Sequence, residues 1–298
     1  MNDLFLEIIK HLSKYDINMK ENYQIYRNIQ NKTPLQKKAK TIKEKEFTYH
    51  IFTPKHFETK KTIIYLHGGG WTAGSTKFYS FLLYHLANEL KRNIITFDYP
   101  LAPEHPFPKG LNFCYKAIKE LFNNPNKYGI DISDMIIMGD SAGANLATVI
   151  CLKAKKAKDF KIKKEILLYP IVQTNFKHNK KYKSIEENGY DYFLNKSLIE
   201  DYLSMYITND KDYKNKYVAP LYAKNLFGMP ESLIITADLD PLRDEGYAYA
   251  KKLKRYFNKV TYYNMKGVIH GFFNNFLYFK ENHHVIKIIK RFVGDKIE

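Results

Sequence analysis

The sequence is poor in cysteine and in tryptophan. Its 298 residues include two cysteines, Cys114 and Cys151, and a single tryptophan. Both cysteines fall within stretches that we predict to be helical. Cysteines in this setting are usually buried structural thiols, so we expect the protein to occupy a reducing compartment, the cytoplasm.

Arginine is scarce too, although the net charge is high. Of 48 basic residues only five are arginine, and the formal net charge is +17 at pH 7. Proteins that read bases and phosphates usually rely on arginine because its planar guanidinium binds them in a bidentate fashion. Here the lysines are spread along the whole chain. We therefore expect a solvated, lysine-rich surface and no nucleic-acid partner.

Long apolar runs are also absent. The first residues include Asp3 and Glu7 and lack a basic region followed by a long apolar core, so we predict no signal peptide. No apolar run approaches transmembrane length, so we predict no membrane span. Hydrophobic residues make up 45% of the chain, as in globular proteins, and we expect residues 1–298 to form one domain.

The chain alternates apolar, β-rich runs with amphipathic helical patterns. The predicted strands are 47–52, 63–66, 94–99, 136–139, 166–169, 233–236 and 260–265. The predicted helices are 77–91, 109–122, 142–157, 242–257 and 283–293. Such alternation is typical of an α/β fold with a mostly parallel central sheet flanked by helices. Ligands bind such sheets at the carboxyl ends of the strands.

Two glycine-rich motifs directly follow predicted strands. Residues 67–71 read His-Gly-Gly-Gly-Trp, and residues 139–143 read Gly-Asp-Ser-Ala-Gly. Gly-x-Ser-x-Gly is a nucleophile elbow, a sharp strand-to-helix turn that exposes a serine hydroxyl, here that of Ser141. The glycine run offers backbone N–H groups, free of side chains, to a developing oxyanion. The two motifs together predict a serine hydrolase.

A serine nucleophile needs a base, and in this fold the chain order is serine, acid, histidine. His270 follows the last predicted strand and is flanked by glycine, so we predict that it is the base. Asp238, Asp240 and Asp244 all follow the preceding strand. Spacing favours Asp240, which precedes a proline in the loop before a predicted helix, but leaves the other two open.

The remaining histidines fit structural or surface positions. His67 leads the glycine run, where we interpret it as a hydrogen-bonding residue that holds the loop. His283 and His284 are adjacent, so their side chains diverge on a helix, and no third metal ligand is evident. We predict no metal site, and serine hydrolysis requires no cofactor.

Two regions break the alternation of strands and helices. Residues 1–45 form a lysine- and asparagine-rich stretch that we predict to be helical, because its first apolar residues have helical spacing. Those apolar residues are Leu4, Phe5, Ile8, Ile9 and Leu12. Residues 173–216 follow a strand and predict a lid over the active site, although a helical excursion that packs elsewhere is an alternative. Their eight aromatic residues, which we expect to wall the pocket, are Phe176, Tyr182, Tyr190, Tyr192, Phe193, Tyr202, Tyr206 and Tyr213.

Five segments together resemble the hormone-sensitive-lipase-like family of α/β-hydrolases, which includes bacterial acetyl esterases and carboxylesterases. The segments are 67–71, 98–108, 139–145, 240–246 and 270–272. They follow the family's order and span most of the chain. The resemblance implies the α/β-hydrolase fold with a helical cap built from residues 1–45 and 173–216.

The same resemblance assigns roles to individual residues. It implies that Asp240 is the acid of a triad with Ser141 and His270. It also implies that the N–H groups of Gly69, Gly70 and Ala142 form the oxyanion hole.

The sequence departs from the family pattern at two positions. Pro100 stands where the family usually has arginine, and Ala144 where it usually has glycine. Because Pro100 lies beside the expected catalytic edge, the packing that an arginine provides there is in question. Ala144 adds one methyl group to the first turn after Ser141 and removes no catalytic group.

These patterns predict a serine carboxylesterase that hydrolyses short, acetyl-like acyl esters of small molecules through an acyl-enzyme. A small-molecule receptor on the same fold is a second hypothesis, but the intact serine, acid and histidine argue against it. A serine peptidase or amidase is a third, and the lack of a propeller-like accessory segment argues against it. No pattern encodes the oligomeric state, and a homodimer is compatible with all of them.

Overall fold

The computed structural model describes residues 18–36, 38–56, 58–177, 179, 181–274 and 280–294. Within these residues one sheet contains β1 (Ala39–Lys43), β2 (Thr48–Phe52), β3 (Thr62–Leu66), β4 (Asn93–Thr96), β5 (Met135–Asp140), β6 (Lys164–Leu168), β7 (Glu231–Leu239) and β8 (Val260–Ile269). Their order is β1-β2-β4-β3-β5-β6-β7-β8. β2 runs antiparallel to β1 and β4, and the strands from β4 to β8 pair in parallel. The predicted mostly parallel sheet is confirmed.

Helices cover both faces of the sheet. They are α1 (Met19–Asn31), α2 (Thr76–Leu90), α3 (Lys109–Asn123), α4 (Pro125–Tyr128), α5 (Ala142–Ala157), α6 (Lys183–Asn188), α7 (Lys196–Tyr206), α8 (Arg243–Arg255) and α9 (Glu281–Val293). One buried core joins α3, α5 and α8 to one face, and a second core joins α2 and α9 to the other. This arrangement buries every residue of β3 and β5, which explains why their sequences are almost continuously apolar.

The N-terminal stretch differs from the helical prediction. α1 is a helix, but residues 39–43 form β1, an edge strand paired with β2, so the helical interpretation of that part was wrong. The Lys-rich sequence of β1 is compatible with an edge strand because only one side of its backbone is paired, and most of its side chains remain exposed. Residues 1–17, with the apolar positions from Leu4 to Leu12, lie outside the described residues.

Three strand boundaries differ clearly from the prediction, because β7 and β8 extend to Leu239 and Ile269, beyond the predicted ends at 236 and 265. The predicted strand 94–99 ends at Thr96, and the chain then leaves the sheet. The Asp98 carboxylate accepts a hydrogen bond of 2.6 Å from the Thr76 backbone N–H, which ties this loop to the start of α2.

The two cysteines and the helix lengths can also be compared with the predictions. Cys114 on α3 and Cys151 on α5 are buried free thiols, as predicted. Among the described helices, none combines the length and the apolar character needed to cross a bilayer.

Candidate active site

Ser141 lies at the turn between β5 and α5. Its φ of 53° and ψ of −119° place a non-glycine residue in a strained region of backbone space. Hydrogen bonds hold the turn: the Ser141 N–H donates to Leu168 O at 2.9 Å, and the Asn145 N–H donates to Ser141 O at 3.1 Å. A side chain at Gly143 would collide with the carbonyl oxygen of Leu66, so the close approach of helix and strand requires glycine there.

Ser141, His270 and Asp240 form a continuous hydrogen-bonded chain. His270 Nε2 lies 2.9 Å from Ser141 Oγ, and His270 Nδ1 lies 2.7 Å from Asp240 Oδ2. A carboxylate only accepts hydrogen bonds, so Nδ1 carries the proton and Nε2 is free to accept the one from the serine hydroxyl. The Tyr169 ring packs edge-on against the imidazole at 4.8 Å and restricts its orientation.

The structure separates the acids that spacing alone left open. Asp240 is fully buried, and its other carboxylate oxygen accepts a 2.8 Å hydrogen bond from the Leu242 N–H. Asp238 instead accepts from Asn264 and Lys266. Asp244, on α8, accepts from the backbone N–H of Ser184 and from Arg243. Of these three acids, Asp240 is the one in contact with His270.

The glycine run is fixed by the histidine before it. His67 Nδ1 lies 2.9 Å from Gly68 O, so Nδ1 donates to this carbonyl. Burial lowers the pKa of His67, and the neutral ring stacks on Tyr99 at 4.4 Å. Because a trans peptide is planar, holding the Gly68 carbonyl also sets the direction of the Gly69 N–H. The sequence interpretation of His67 as a loop-holding residue is confirmed.

Three residues that line the cavity have backbone N–H groups without a competing acceptor. Gly69, Gly70 and Ala142 line the same cavity as Ser141 and His270. In the part of the chain that the structure describes, their N–H groups donate no hydrogen bond to a protein acceptor. An oxyanion formed at Ser141 would therefore meet donors that have no other partner.

The cavity has a volume of about 400 Å³ and two unlike walls. The sheet edge and glycine run supply the polar wall, which contains Ser141 and His270. α7 and the segment before it supply five side chains to the apolar wall, those of Phe193, Leu194, Leu198, Ile199 and Tyr202.

The expectation that all eight aromatic residues of 173–216 wall this cavity was wrong. Phe193 and Tyr202 line it. Tyr206 instead stacks on Trp71 with ring centroids 4.2 Å apart, and Phe176 is buried in the core shared with α5. These rings anchor the excursion to the rest of the fold, because an inserted helix must bury apolar surface of its own to stay in place.

A contact that sequence reasoning missed joins α1 to the glycine run. Arg27 Nε donates to Thr72 O at 2.6 Å, and Nη2 donates to Ala102 O at 2.6 Å. The guanidinium also pairs with the Glu104 carboxylate at 2.9 and 3.0 Å. An arginine thus packs against the loop that contains Pro100, but it comes from α1. No local pattern signals a contact across more than 40 residues.

The other departure from the family pattern is accommodated without visible disturbance. Ala144 is fully buried in the first turn of α5, and the Ser141 hydroxyl keeps its contact with His270.

Comparison with known proteins agrees with this geometry. Residues 63–274 match the family model of the alpha/beta hydrolase fold. An arylesterase of Saccharolobus solfataricus is 32% identical over 232 residues, which cover 78% of this chain and 74% of that protein. A solved esterase of Pyrobaculum calidifontis is similar with a TM-score of 0.84 and 30% identity, covering 98% of both chains. A fungal esterase of Rhizomucor miehei gives a TM-score of 0.86 at 28% identity, covering 97% of this chain and 94% of that one. The chain therefore belongs to the hormone-sensitive-lipase-like esterase family of α/β-hydrolases.

Proposed function

We propose that this carboxylic ester hydrolase is a serine carboxylesterase that cleaves short acyl esters of small molecules. The observation that carries the proposal is the hydrogen-bonded chain from Asp240 through His270 to Ser141. It opens into a cavity beside the unpartnered N–H groups of the glycine run. A nucleophile, a base and oxyanion donors therefore share one cavity.

In the acylation step, His270 Nε2 takes the proton of Ser141 as Oγ attacks the ester carbonyl. Asp240 holds the Nδ1–H tautomer and stabilises the imidazolium that forms. The N–H groups of Gly69, Gly70 and Ala142 bind the negative carbonyl oxygen of the tetrahedral intermediate. His270 then protonates the leaving alcohol, and the acyl group remains on Ser141.

Deacylation repeats these steps with water. His270 takes a proton from the attacking water, the same N–H groups stabilise the second tetrahedral intermediate, and the Ser141 oxygen leaves with the proton returned to it. The proposed reaction thus converts an ester and water into a carboxylic acid and an alcohol.

We place the cap of a single domain in α1 and in the segment 173–216. Both contribute side chains to the cavity, Tyr26 and Gln30 from α1 and Tyr202 from α7. They also contact each other, because the Met19 N–H donates to Asp201 Oδ2 at 3.0 Å. β1 belongs to the sheet, so we assign residues 39–43 to the hydrolase core and not to the cap.

The preference for short acyl groups follows from the cavity. Each methylene of the substrate that is buried against the apolar wall stabilises the bound ester by about 0.8 kcal/mol. Once the cavity is filled, a further methylene must displace side chains, at a cost of about 1–3 kcal/mol. With about 400 Å³ shared between the acyl and alcohol groups, we expect the optimum between acetyl and hexanoyl esters.

The test is kcat/KM across p-nitrophenyl esters from acetyl to palmitoyl, with the matching acetanilide measured in parallel. We expect a maximum at or below hexanoyl and little hydrolysis of the anilide. A maximum at palmitoyl would contradict the short-acyl assignment. Anilide hydrolysis as fast as that of the ester would indicate an amidase.

A further inference from the structure

A buried carboxylate lies next to the nucleophile but outside the proposed triad. Asp140 immediately precedes Ser141 and is almost completely buried. Its Oδ1 accepts hydrogen bonds from the Tyr65 hydroxyl at 2.9 Å and the Gly68 N–H at 3.0 Å. Its Oδ2 accepts from the Tyr79 hydroxyl at 2.9 Å and the Asn274 side-chain amide at 3.0 Å. Four donors therefore converge on one carboxylate.

Burying such a group has a cost that the fold must offset. Burial raises the pKa of the Asp140 carboxyl, and the hydrogen bonds from Asn274, Tyr65 and Tyr79 oppose that rise. An apolar residue would fill the same space without this penalty. The carboxylate thus has a use that an apolar side chain could not serve, and its partners show where that use lies.

These partners belong to separate segments that meet around the catalytic serine. Gly68 belongs to the glycine run, and Asn274 belongs to the turn that follows His270. Tyr79 comes from α2, and its hydroxyl also accepts from the Gly68 N–H at 3.1 Å and from Asn274 Nδ2 at 2.7 Å. Asp140 is itself bonded covalently to Ser141. One carboxylate therefore links the nucleophile elbow, the oxyanion loop and the loop of the base.

The contact with Gly68 bears on the oxyanion donors directly. Asp140 and Tyr79 hold the N–H of Gly68, while His67 holds its carbonyl. Both peptide planes that flank Gly68 are thus fixed, which sets the φ and ψ angles of a residue that has no side chain to restrain them. A Cβ atom at Gly68 would lie 2.5 Å from Asp140 Oδ2, so the close approach also requires glycine.

We propose that Asp140 is a positioning residue that holds the N–H groups of Gly69 and Gly70 at a set distance from Ser141 Oγ. This inference rests on the proposed function, because it takes Ser141 as the nucleophile. Oxyanion donors act on charge that develops in the transition state, so their misplacement lowers kcat more than it weakens substrate binding. A residue that supported only the fold would change the amount or stability of folded enzyme and leave its kinetic constants unchanged.

The test compares Asp140→Asn with a matched change at another buried carboxylate, Glu165→Gln. Glu165 lies on β6, accepts from Ser232 Oγ at 2.8 Å, and does not line the cavity. An amide at position 140 keeps the shape of the carboxyl group but removes its charge and replaces one acceptor oxygen with a donor, so the groups that face that oxygen must reorient and the other contacts weaken. For Asp140→Asn we expect kcat on p-nitrophenyl acetate to fall roughly 10- to 100-fold, with KM within about 3-fold of wild type.

A second readout isolates the oxyanion hole. An aliphatic trifluoromethyl ketone forms a hemiketal oxyanion on the serine, so its inhibition constant should rise by the same factor as kcat/KM falls. Glu165→Gln should leave kcat, KM and this inhibition constant unchanged. An Asp140→Asn enzyme with wild-type kcat and a lowered Tm would overturn the proposal, as would a loss confined to KM.

Two further measurements keep the outcome decisive. If Asp140→Asn does not fold, Tyr79→Phe removes a hydroxyl that contacts Gly68 and Asp140 while leaving the carboxylate in place. It should lower kcat and ketone affinity together, and unchanged kcat would reject the proposal.

An organophosphate labels the nucleophile of the wild-type enzyme. Wild-type labelling away from Ser141 rejects the proposed function, whereas labelling on Ser141 with normal kcat in the variants rejects the positioning role alone.

Discussion

The two walls of the cavity are built in different ways. At the sheet edge, hydrogen bonds hold the proposed triad and both peptide planes that flank Gly68. Trp71, Ser141 and Tyr169 all have positive φ angles there. The opposite wall, from α7 and its preceding segment, contacts the cavity with apolar side chains, and Tyr202 lies directly against Gly70. Strained geometry persists only where the surroundings over-determine it. We infer that the sheet edge carries the chemistry and the helical wall carries the selectivity.

Among substitutions that leave the nucleophile in place, the largest effect is expected at the acid of the sheet-edge wall. Asp240→Asn should lower kcat by on the order of 10²-fold or more, because an amide can stabilise the wrong tautomer of His270 and cannot stabilise its cation. The same change at Asp238 or Asp244 provides the matched control, since those carboxylates contact other groups. The measurement is kcat on p-nitrophenyl acetate for all three variants. An equal loss in all three would contradict the assignment of Asp240.

A smaller effect is expected where α1 meets the loop after the glycine run. Arg27 binds two backbone carbonyls and the Glu104 carboxylate with one planar group. Arg27→Met should lower kcat/KM roughly 10-fold because the loop after the glycine run loses its support from α1. Arg27→Lys should recover little, since an ammonium cannot form the same fork. Arg255→Met, at an exposed position on α8, removes the same charge and should have no effect. Full activity in Arg27→Met would contradict the role of α1 in supporting this loop.

A substitution in the helical wall should change the acyl-chain selectivity and leave the chemical step unchanged. Tyr202→Leu enlarges the cavity and should shift the acyl optimum by one or two carbons, with a change of about 4-fold in relative kcat/KM for each methylene. Tyr190→Leu is the control, because Tyr190 is 56% exposed and does not line the cavity. The ester series measured on both variants decides the matter. A uniform loss across all chain lengths in Tyr202→Leu would mean that the ring serves catalysis.

The smallest effect on activity is expected far from both walls. Burial raises the pKa of Glu165 from 4.5 to about 7. Between these two pH values the folded state keeps a proton that the unfolded state has released, so the free energy of unfolding falls as pH rises and levels off above about 7.

Glu165→Gln cannot titrate at this position. Relative to wild type, its free energy of unfolding should therefore rise by up to about 3 kcal/mol between pH 4.5 and 7. Urea unfolding of both proteins at pH 5 and pH 8 measures this difference, and kcat should stay unchanged. A difference in stability that does not vary with pH would contradict the raised pKa.

The sequence predicts the sheet-edge wall better than the helical wall. β3 and β5 are nearly continuous apolar runs that end in glycine motifs, so the position of Ser141 and of the glycine run at one edge follows from the strand pattern. Spacing also brought His270 to that edge but did not separate Asp240 from its neighbours. The contact between His270 Nδ1 and Asp240 Oδ2 decides that question, and a linear pattern does not contain it.

The helical wall depends on contacts between distant segments. Arg27 and Thr72 are far apart in sequence, and neither occurs in a pattern that indicates a partner. The eight aromatic residues of 173–216 are all phenylalanine or tyrosine, yet Tyr202 lines the cavity while Tyr206 packs on Trp71. The two positions are one turn apart on the same face of α7, and tertiary packing decides which turn meets the cavity and which meets Trp71. β1 was missed for a similar reason, because pairing with β2 stabilises a strand with a lysine-rich sequence.

The most direct test of the central claim is covalent trapping of the nucleophile. The enzyme is treated with diethyl p-nitrophenyl phosphate, and the intact chain and its peptides are weighed by mass spectrometry alongside Ser141→Ala. We expect one diethylphosphoryl group per chain on Ser141, complete loss of esterase activity on labelling, and an unlabelled Ser141→Ala protein whose activity is lower by roughly 10³-fold or more. A label on another residue, or an active Ser141→Ala enzyme with a native fold, would contradict it.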